Sequence, residues 1–332
     1  MTEQKLEQRQ SLAERGGVAF VFPGQGSQAV GMLGAVGAAE PTVRKTFAEA
    51  SEVLGTDLWA MAQDGPADVQ ALTANTQPLI LTASIALYRV WVEGQGVLPS
   101  VAAGHSLGEF SALVAAGAIE FSDAVRLVRL RGQAMQEAVP VGEGAMAAVL
   151  GLDDDVINDV CATVSGAGAY QVLAVNFNSP GQVVIAGHTP AVEHAMQELK
   201  SAGAKRILPL PVSAPFHTPL MSPAAQVLEE ALSATALLDP QIPVISNVDA
   251  KPHTDAASIA HFLVQQVVAP VQWTGCVQTM VQMGCAHFVE CGPGKVLAGL
   301  LRRIDRNVTC HGIESPENLD DARALLSEGA SA

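Results

Sequence analysis

Ser106 stands in Gly104-His105-Ser106-Leu107-Gly108, after the apolar run Val101-Ala102-Ala103 and before an alanine-rich stretch. A serine on a sharp turn between strand and helix is held out from the backbone, beside the free N–H groups of the helix start. That is the placement of a nucleophile, and the flanking glycines are expected to let the chain turn without a Cβ clash. A plain glycine-serine turn is the other reading, and the strand before and helix after favour the nucleophile. Such a serine needs a base, usually histidine. His105 is too close along the chain to point at its neighbour, so a structural hydrogen bond is expected of it. His217, in Pro211-Val212-Ser213-Ala214-Pro215-Phe216-His217-Thr218, is the better candidate, with a helix cap as its alternative. His188, His194, His253, His261, His287 and His311 lie among polar residues and read as surface side chains.

Arg131 is the second residue of chemical interest. A helix is expected from Asp123 to about Ala138, capped by Ser122 and stopped by Pro140. At ~100° per residue from Arg126, Arg131 falls near 140°, inside the stripe of Leu127, Val128, Ala134 and Met135, whereas Arg129 falls near 300°. A guanidinium there cannot deprotonate and must find an anion or stay wet. A structural ion pair and a substrate carboxylate both satisfy that demand. Asn176 is a candidate ligand contact at a strand end, while Asn178-Ser179-Pro180 reads as a turn.

These residues need a frame. Gly17 to Phe22 is a short apolar strand ended by Pro23-Gly24-Gln25-Gly26-Ser27-Gln28. That loop lacks P-loop and G-x-G-x-x-G spacing, so its amides are expected to approach a reacting oxygen instead. A long apolar helix is expected after Pro78, then the serine turn and its helix. This alternation predicts an α/β domain with a mostly parallel, hydrolase-like sheet over 17–142 and 212–312. Between them, 143–211 reads β-α-β-β-α-β, the order of a ferredoxin-like unit, with its last strand over Arg206 to Val212. A cleft between the two is the natural ligand site. Residues 1–16 are expected as a flexible extension and 313–332 as an acidic tail.

Composition narrows the function classes. The net charge of −15 argues against nucleic acid as the main partner. No apolar run reaches the ~18 residues of a membrane span, and the polar N-terminus has no secretory h-region. The five cysteines lack finger spacing and the histidines lack H-E-x-x-H, so no metal is expected, and reduced thiols point to the cytoplasm.

With these pieces in line, the chain resembles the malonyl-CoA:acyl-carrier-protein transacylase family. The matching blocks are Phe22-Pro-Gly-Gln-Gly-Ser-Gln28, Gly104-His-Ser-Leu-Gly-Glu109, Arg131-Gly-Gln-Ala-Met-Gln136 and Val175-Asn-Phe-Asn-Ser-Pro-Gly-Gln182. Phe216-His217, Pro270-Val-Gln-Trp273 and Gly292-Pro-Gly-Lys295 follow in the family's order. The resemblance implies transfer of malonyl from malonyl-CoA through a Ser106 ester to the phosphopantetheine thiol of acyl carrier protein. It implies His217 as base, the Gln266 carbonyl as its orienting partner, and the backbone N–H groups of Gln25 and Leu107 as oxyanion hole. Arg131 would hold the malonyl carboxylate, with Asn176 a further substrate contact. Phe216 would crowd an α-methyl branch, although many free-standing bacterial members carry serine there. Arg302 and Arg303 match basic positions used for carrier docking. No cofactor is implied, since malonyl-CoA is a substrate, and a monomer is the expectation. Polyketide or malonate-decarboxylase acyltransferases and serine hydrolases are the alternatives.

Overall fold

The computed structural model describes residues 17–166, 168–212 and 214–328. The chain runs β1 (Gly17–Phe22), α1 (Gly34–Ala39), α2 (Pro41–Leu54), α3 (Leu58–Asp64), α4 (Ala67–Ala71) and the long α5 (Thr73–Glu93). β2 (Val101–Gly104), α6 (Gly108–Ala115) and α7 (Phe121–Glu137) follow. Next come β3 (Gly144–Leu150), α8 (Asp154–Gly166), β4 (Val172–Ser179), β5 (Gln182–His188), α9 (Thr189–Ser201) and β6 (Arg206–Pro209). The chain then forms α10 (Ser222–Ser233), β7 (Val244–Ile245), β8 (Pro252–His253), α11 (Ala256–Val268), α12 (Trp273–Gln282), β9 (Cys285–Glu290), α13 (Val296–Ile304), β10 (Thr309–Gly312) and α14 (Pro316–Glu328).

β1 lies inside a six-stranded sheet of order β10-β9-β1-β2-β7-β8, parallel except for the short edge strand β8. Its alternate residues serve two cores. Val18, Phe20 and Phe22 enter the larger cluster with α2, α5, α6 and α7, while Ala19 and Val21 face α12 and α13. A parallel strand covered on both faces reads as an unbroken apolar run, which is why GVAFVF stood out. The second sheet, β4-β5-β3-β6, is antiparallel throughout and packs α8 and α9 on a core of its own. The fold is thus α/β, with helices around a mixed, mainly parallel sheet and a smaller sheet inserted between its halves.

α5 is apolar nearly all round because it is buried nearly all round. It begins at Thr73, not after Pro78, and keeps the proline inside. Proline has no N–H to give the carbonyl four residues back, and Arg129 supplies the missing donor to Ala74 O at 2.8 Å. At α7 the expected Ser122 cap is absent: the helix starts at Phe121, and the Glu120 N-cap makes no side-chain cap bond. The β4–β5 turn contracts to Pro180-Gly181, so Asn178 and Ser179 belong to β4, and β6 ends at Pro209 instead of Val212.

The segment expected as an acidic tail after Gly312 is structured. Ile313 is buried, and α14 sinks Leu319, Ala322 and Leu326 into the main core. Its acidic residues occupy the outer face of an amphipathic helix, which composition alone reads as a tail. The expected extension at 1–16 lies outside the described residues. Among the described residues, no helix is long and apolar enough to cross a membrane.

Candidate active site

The turn after β2 presses two glycines against their surroundings. A Cβ on Gly104 would meet Gly108 C at 1.8 Å, and one on Gly108 would meet Phe22 O at 2.0 Å. The glycines therefore permit close approach; the positive φ of the turn, 52°, falls on Ser106 itself. That conformation costs a non-glycine residue about 1–2 kcal/mol, and a side chain holds it. Ser106 N donates to Asn247 Oδ1 at 2.6 Å, and Asn247 Nδ2 donates to Gly104 O at 2.7 Å. Asn247 was missed in the sequence. Its signal was its place just after an apolar strand, since ligand sites collect at the carboxyl ends of parallel strands.

His217, also at positive φ (62°), brings Nε2 to 2.9 Å from Ser106 Oγ. Its Nδ1 lies 2.8 Å from Gln266 O. A carbonyl only accepts, so Nδ1 carries the hydrogen and Nε2 faces the serine with a free lone pair. Burial, then the positive charge of Arg131, lowers the imidazole pKa to about 3. The histidine is neutral and ready to take a proton, and a carbonyl orients it where a triad would use an aspartate. His105 behaves as a structural residue: its Nε2 lies 2.7 Å from Asn178 Oδ1, and its ring packs on Trp273.

Arg131 is 2% exposed. It donates to Gln77 Oε1 at 2.9 Å, Gln266 Oε1 at 2.8 Å and Ser106 Oγ at 3.2 Å, and its Nε has no partner. Burial lowers its pKa to about 10, with the charge of Glu109 opposing the shift. The ion pair offered by the sequence is absent among the described residues, because all three partners are neutral. A buried cation bonded only to neutral acceptors retains a strong demand for an anion. Glu109, which sequence reasoning passed over, is the nearby carboxylate; it bonds Gln266 Nε2 at 2.7 Å and Asn247 N at 3.0 Å. Desolvation raises its pKa to about 7.

Ser106, His217 and Arg131 meet at a cavity of about 120 Å³ lined also by Gln25, Leu107 and Phe216. The insert also lines it, with Met146 of β3, Asn176 of β4 and Leu210 just past β6. Among the described residues no hydrogen bond consumes the backbone N–H of Gln25 or Leu107, and Asn176 Oδ1 is buried without a partner. Gln266 reaches the site from α11, carrying its carbonyl to His217 and its side chain to Arg131, Glu109 and Ser106 O. Arg302 and Arg303 lie outside this lining, exposed in the last turn of α13, where Arg303 also reaches the Gln182 side chain of β5.

Comparison with known proteins points one way. A family model described as the acyl transferase domain matches residues 19–311. The malonyl CoA-acyl carrier protein transacylase of Escherichia coli O157:H7 is 54% identical over 92% of this chain and 99% of its own. That of Bacillus subtilis (strain 168) is 45% identical over 94% and 98%. Among solved structures, an acyl carrier protein S-malonyltransferase from Vibrio cholerae O1 superposes with TM-score 0.89 at 52% identity, covering 92% of this chain and 99% of its own. A type II PKS acyl-carrier protein in complex with its malonyl-transacylase offers another match, at TM-score 0.91 and 50% identity over 93% and 99%.

Proposed function

Because the chain belongs to the acyl transferase domain family, we propose that it carries malonyl as an ester of Ser106 between its two substrates. The overall reaction is malonyl transfer from malonyl-CoA to acyl carrier protein, feeding fatty acid synthesis. The observation that carries the ester route is the 2.9 Å contact of Ser106 Oγ with a neutral His217, beside a guanidinium that touches no anion among the described residues.

In the first half, His217 Nε2 takes the Ser106 proton as Oγ bonds the thioester carbon. The amides of Gln25 and Leu107 receive the oxyanion, a contribution of ~3–4 kcal/mol to the barrier for one such donor. Collapse releases CoA, whose sulfur takes the proton back from His217. In the second half the phosphopantetheine thiol gives its proton to the same nitrogen and attacks the ester, and Ser106 leaves with that proton. Gln266 O keeps the imidazole in the required tautomer. Arg131 clamps the malonyl carboxylate in place of its weak contact with Ser106, Asn176 offers its unpartnered oxygen to an amide N–H of the pantetheine arm, and Phe216 narrows the space at the α-carbon. No cofactor is needed, since every bond and proton has an owner among these residues and the two thiols.

For the carrier we assign Arg302 and Arg303, which present two adjacent exposed cations on a molecule of net negative charge. We read the four-stranded insert as ferredoxin-like, from its element order and strand order, and the parallel sheet with its serine turn as hydrolase-like. We also read the enzyme as a cytoplasmic monomer. Five unpaired thiols suit a reducing compartment.

The test is intact-protein mass after brief mixing with malonyl-CoA. Wild type should gain a malonyl adduct that carrier protein discharges, and Ser106→Ala should gain none. Steady release of free malonate with no adduct would point to a hydrolase and overturn the proposal. Arg131→Ala should lose its preference for malonyl-CoA over acetyl-CoA.

A further inference from the structure

Glu109 has no part in the transfer just described, yet it is among the most enclosed charged groups of the chain, 3% exposed. Its Oε2 accepts from Gln266 Nε2 and from Asn247 N, while Gln266 Oε1 accepts from Arg131. A single amide therefore spans a buried anion and a buried cation, with its N–H end on one and its C=O end on the other. The charge of Asp249 and the Cys276 thiol of α12 also interact with Glu109, and the His217 ring interacts with Arg131 and with the His105 ring. Burial holds both rings neutral and keeps the thiol protonated.

We propose that Glu109 is the counter-charge of Arg131 in the empty site, and that capture of an acyl carboxylate by Arg131 draws one proton from solvent onto Glu109. The inference rests on Arg131 receiving the malonyl carboxylate, as argued above. In the empty site the two charges cancel across Gln266. Malonyl adds a second carboxylate beside the same buried guanidinium, and two like charges sharing one cation raise the proton affinity of each other. The malonyl carboxylate touches the cation directly, so the proton goes to the carboxylate that meets it only through an amide. Glu109 already titrates at about 7 in the empty site, so the exchange is available near neutrality. An acetyl group brings no charge and draws no proton. Glu109 is thus a positioning and selectivity residue that acts through Gln266. Because binding takes up a proton, malonyl affinity weakens with rising pH above about 7, by at most about tenfold per pH unit, and acetyl affinity does not follow.

The test is calorimetry of Ser106→Ala, which cannot turn over, with malonyl-pantetheine and acetyl-pantetheine near pH 8. Two buffers of different ionisation enthalpy give the number of protons taken up. Close to one proton is expected for malonyl and none for acetyl, and adding Glu109→Gln should abolish the malonyl uptake. Tighter binding of malonyl than acetyl without proton uptake, or uptake that survives Glu109→Gln, overturns the role of Glu109 and leaves the clamp standing. Equal binding of the two ligands would instead remove the clamp itself. Should Glu109→Gln fail to fold, the pH series of the single variant decides: a malonyl-pantetheine Kd that stays flat above neutral pH rules the proposal out.

Discussion

At the scale of single residues, Ser106 and His217 share a left-handed backbone, with φ of 52° and 62°. Such conformations persist where neighbours over-determine them, and Asn247 and Gln266 are those neighbours. Asn247→Ala leaves the Ser106 N–H and the Gly104 carbonyl without their partner. A loss of about 1–3 kcal/mol in stability is expected, together with slower single-turnover acylation as Ser106 relaxes. Unchanged acylation would show that the turn holds itself. A second expectation concerns charge. With its pKa lowered to about 3, His217 stays neutral through the range where a free histidine near 6.5 protonates. Proton NMR of the free enzyme, with His217→Asn for assignment, should find that the His217 imidazole does not titrate between about pH 7 and 5. A midpoint near the ordinary value would contradict the burial seen here.

Among the elements, α5 carries the most specific prediction. Pro78 leaves the Ala74 carbonyl without a helical donor, and Arg129 fills the gap while also bonding Asn75 Oδ1. Arg129→Met should cost about 1–3 kcal/mol. Pro78→Ala restores an N–H in the helix, so the same arginine change should cost less in that background. A double-mutant cycle in denaturant measures the coupling, and strictly additive losses would sink the account. The same elements show what could be read from the chain. The strands of the insert, the serine turn and the buried face of α7 were legible because period and turn chemistry are local. The start of α5 was not, because the donor that makes its proline tolerable comes from another helix. Likewise α14 hid behind its acidic outer face. Ser106, His217 and Arg131 were nameable from residue type and context. Asn247 and Glu109 were not, because their importance lies in partners 138 to 157 positions apart in sequence.

For the whole molecule the question is how stability follows pH. Glu109 and Glu290 are each raised to about 7, first by desolvation. A carboxyl with a raised folded pKa stabilises the fold fully below its unfolded value, near 4.5, and loses that contribution as pH rises through 7. His217 and His105 are lowered, so their contribution is present above about 6.5 and lost as pH falls below it. Glu290→Gln should therefore lose stability relative to wild type near pH 5, because its amide has one oxygen for the two donors Leu297 N and Ala298 N and turns an NH2 group toward the other. The deficit should shrink by about pH 8, where wild type keeps a buried charge. Thermal melts of both proteins across that range check the sign, and a deficit that widens with pH would contradict it. Finally, Gln266 sets limits on how this enzyme can diversify. Its main-chain carbonyl fixes the tautomer of the base whatever the side chain, while its side chain holds the guanidinium, Glu109 and the carbonyl of the nucleophilic Ser106. Change there cannot alter the choice of acyl group without also altering reactivity, so the two traits are inherited together on that side of the cavity. Met146, on β3 of the insert, and Leu210, just past β6, line the cavity and make no hydrogen bond to the base or its supports among the described residues. New acyl preferences have their open road through that insert, where a lineage can vary the pocket while the machinery for bond-making stays fixed.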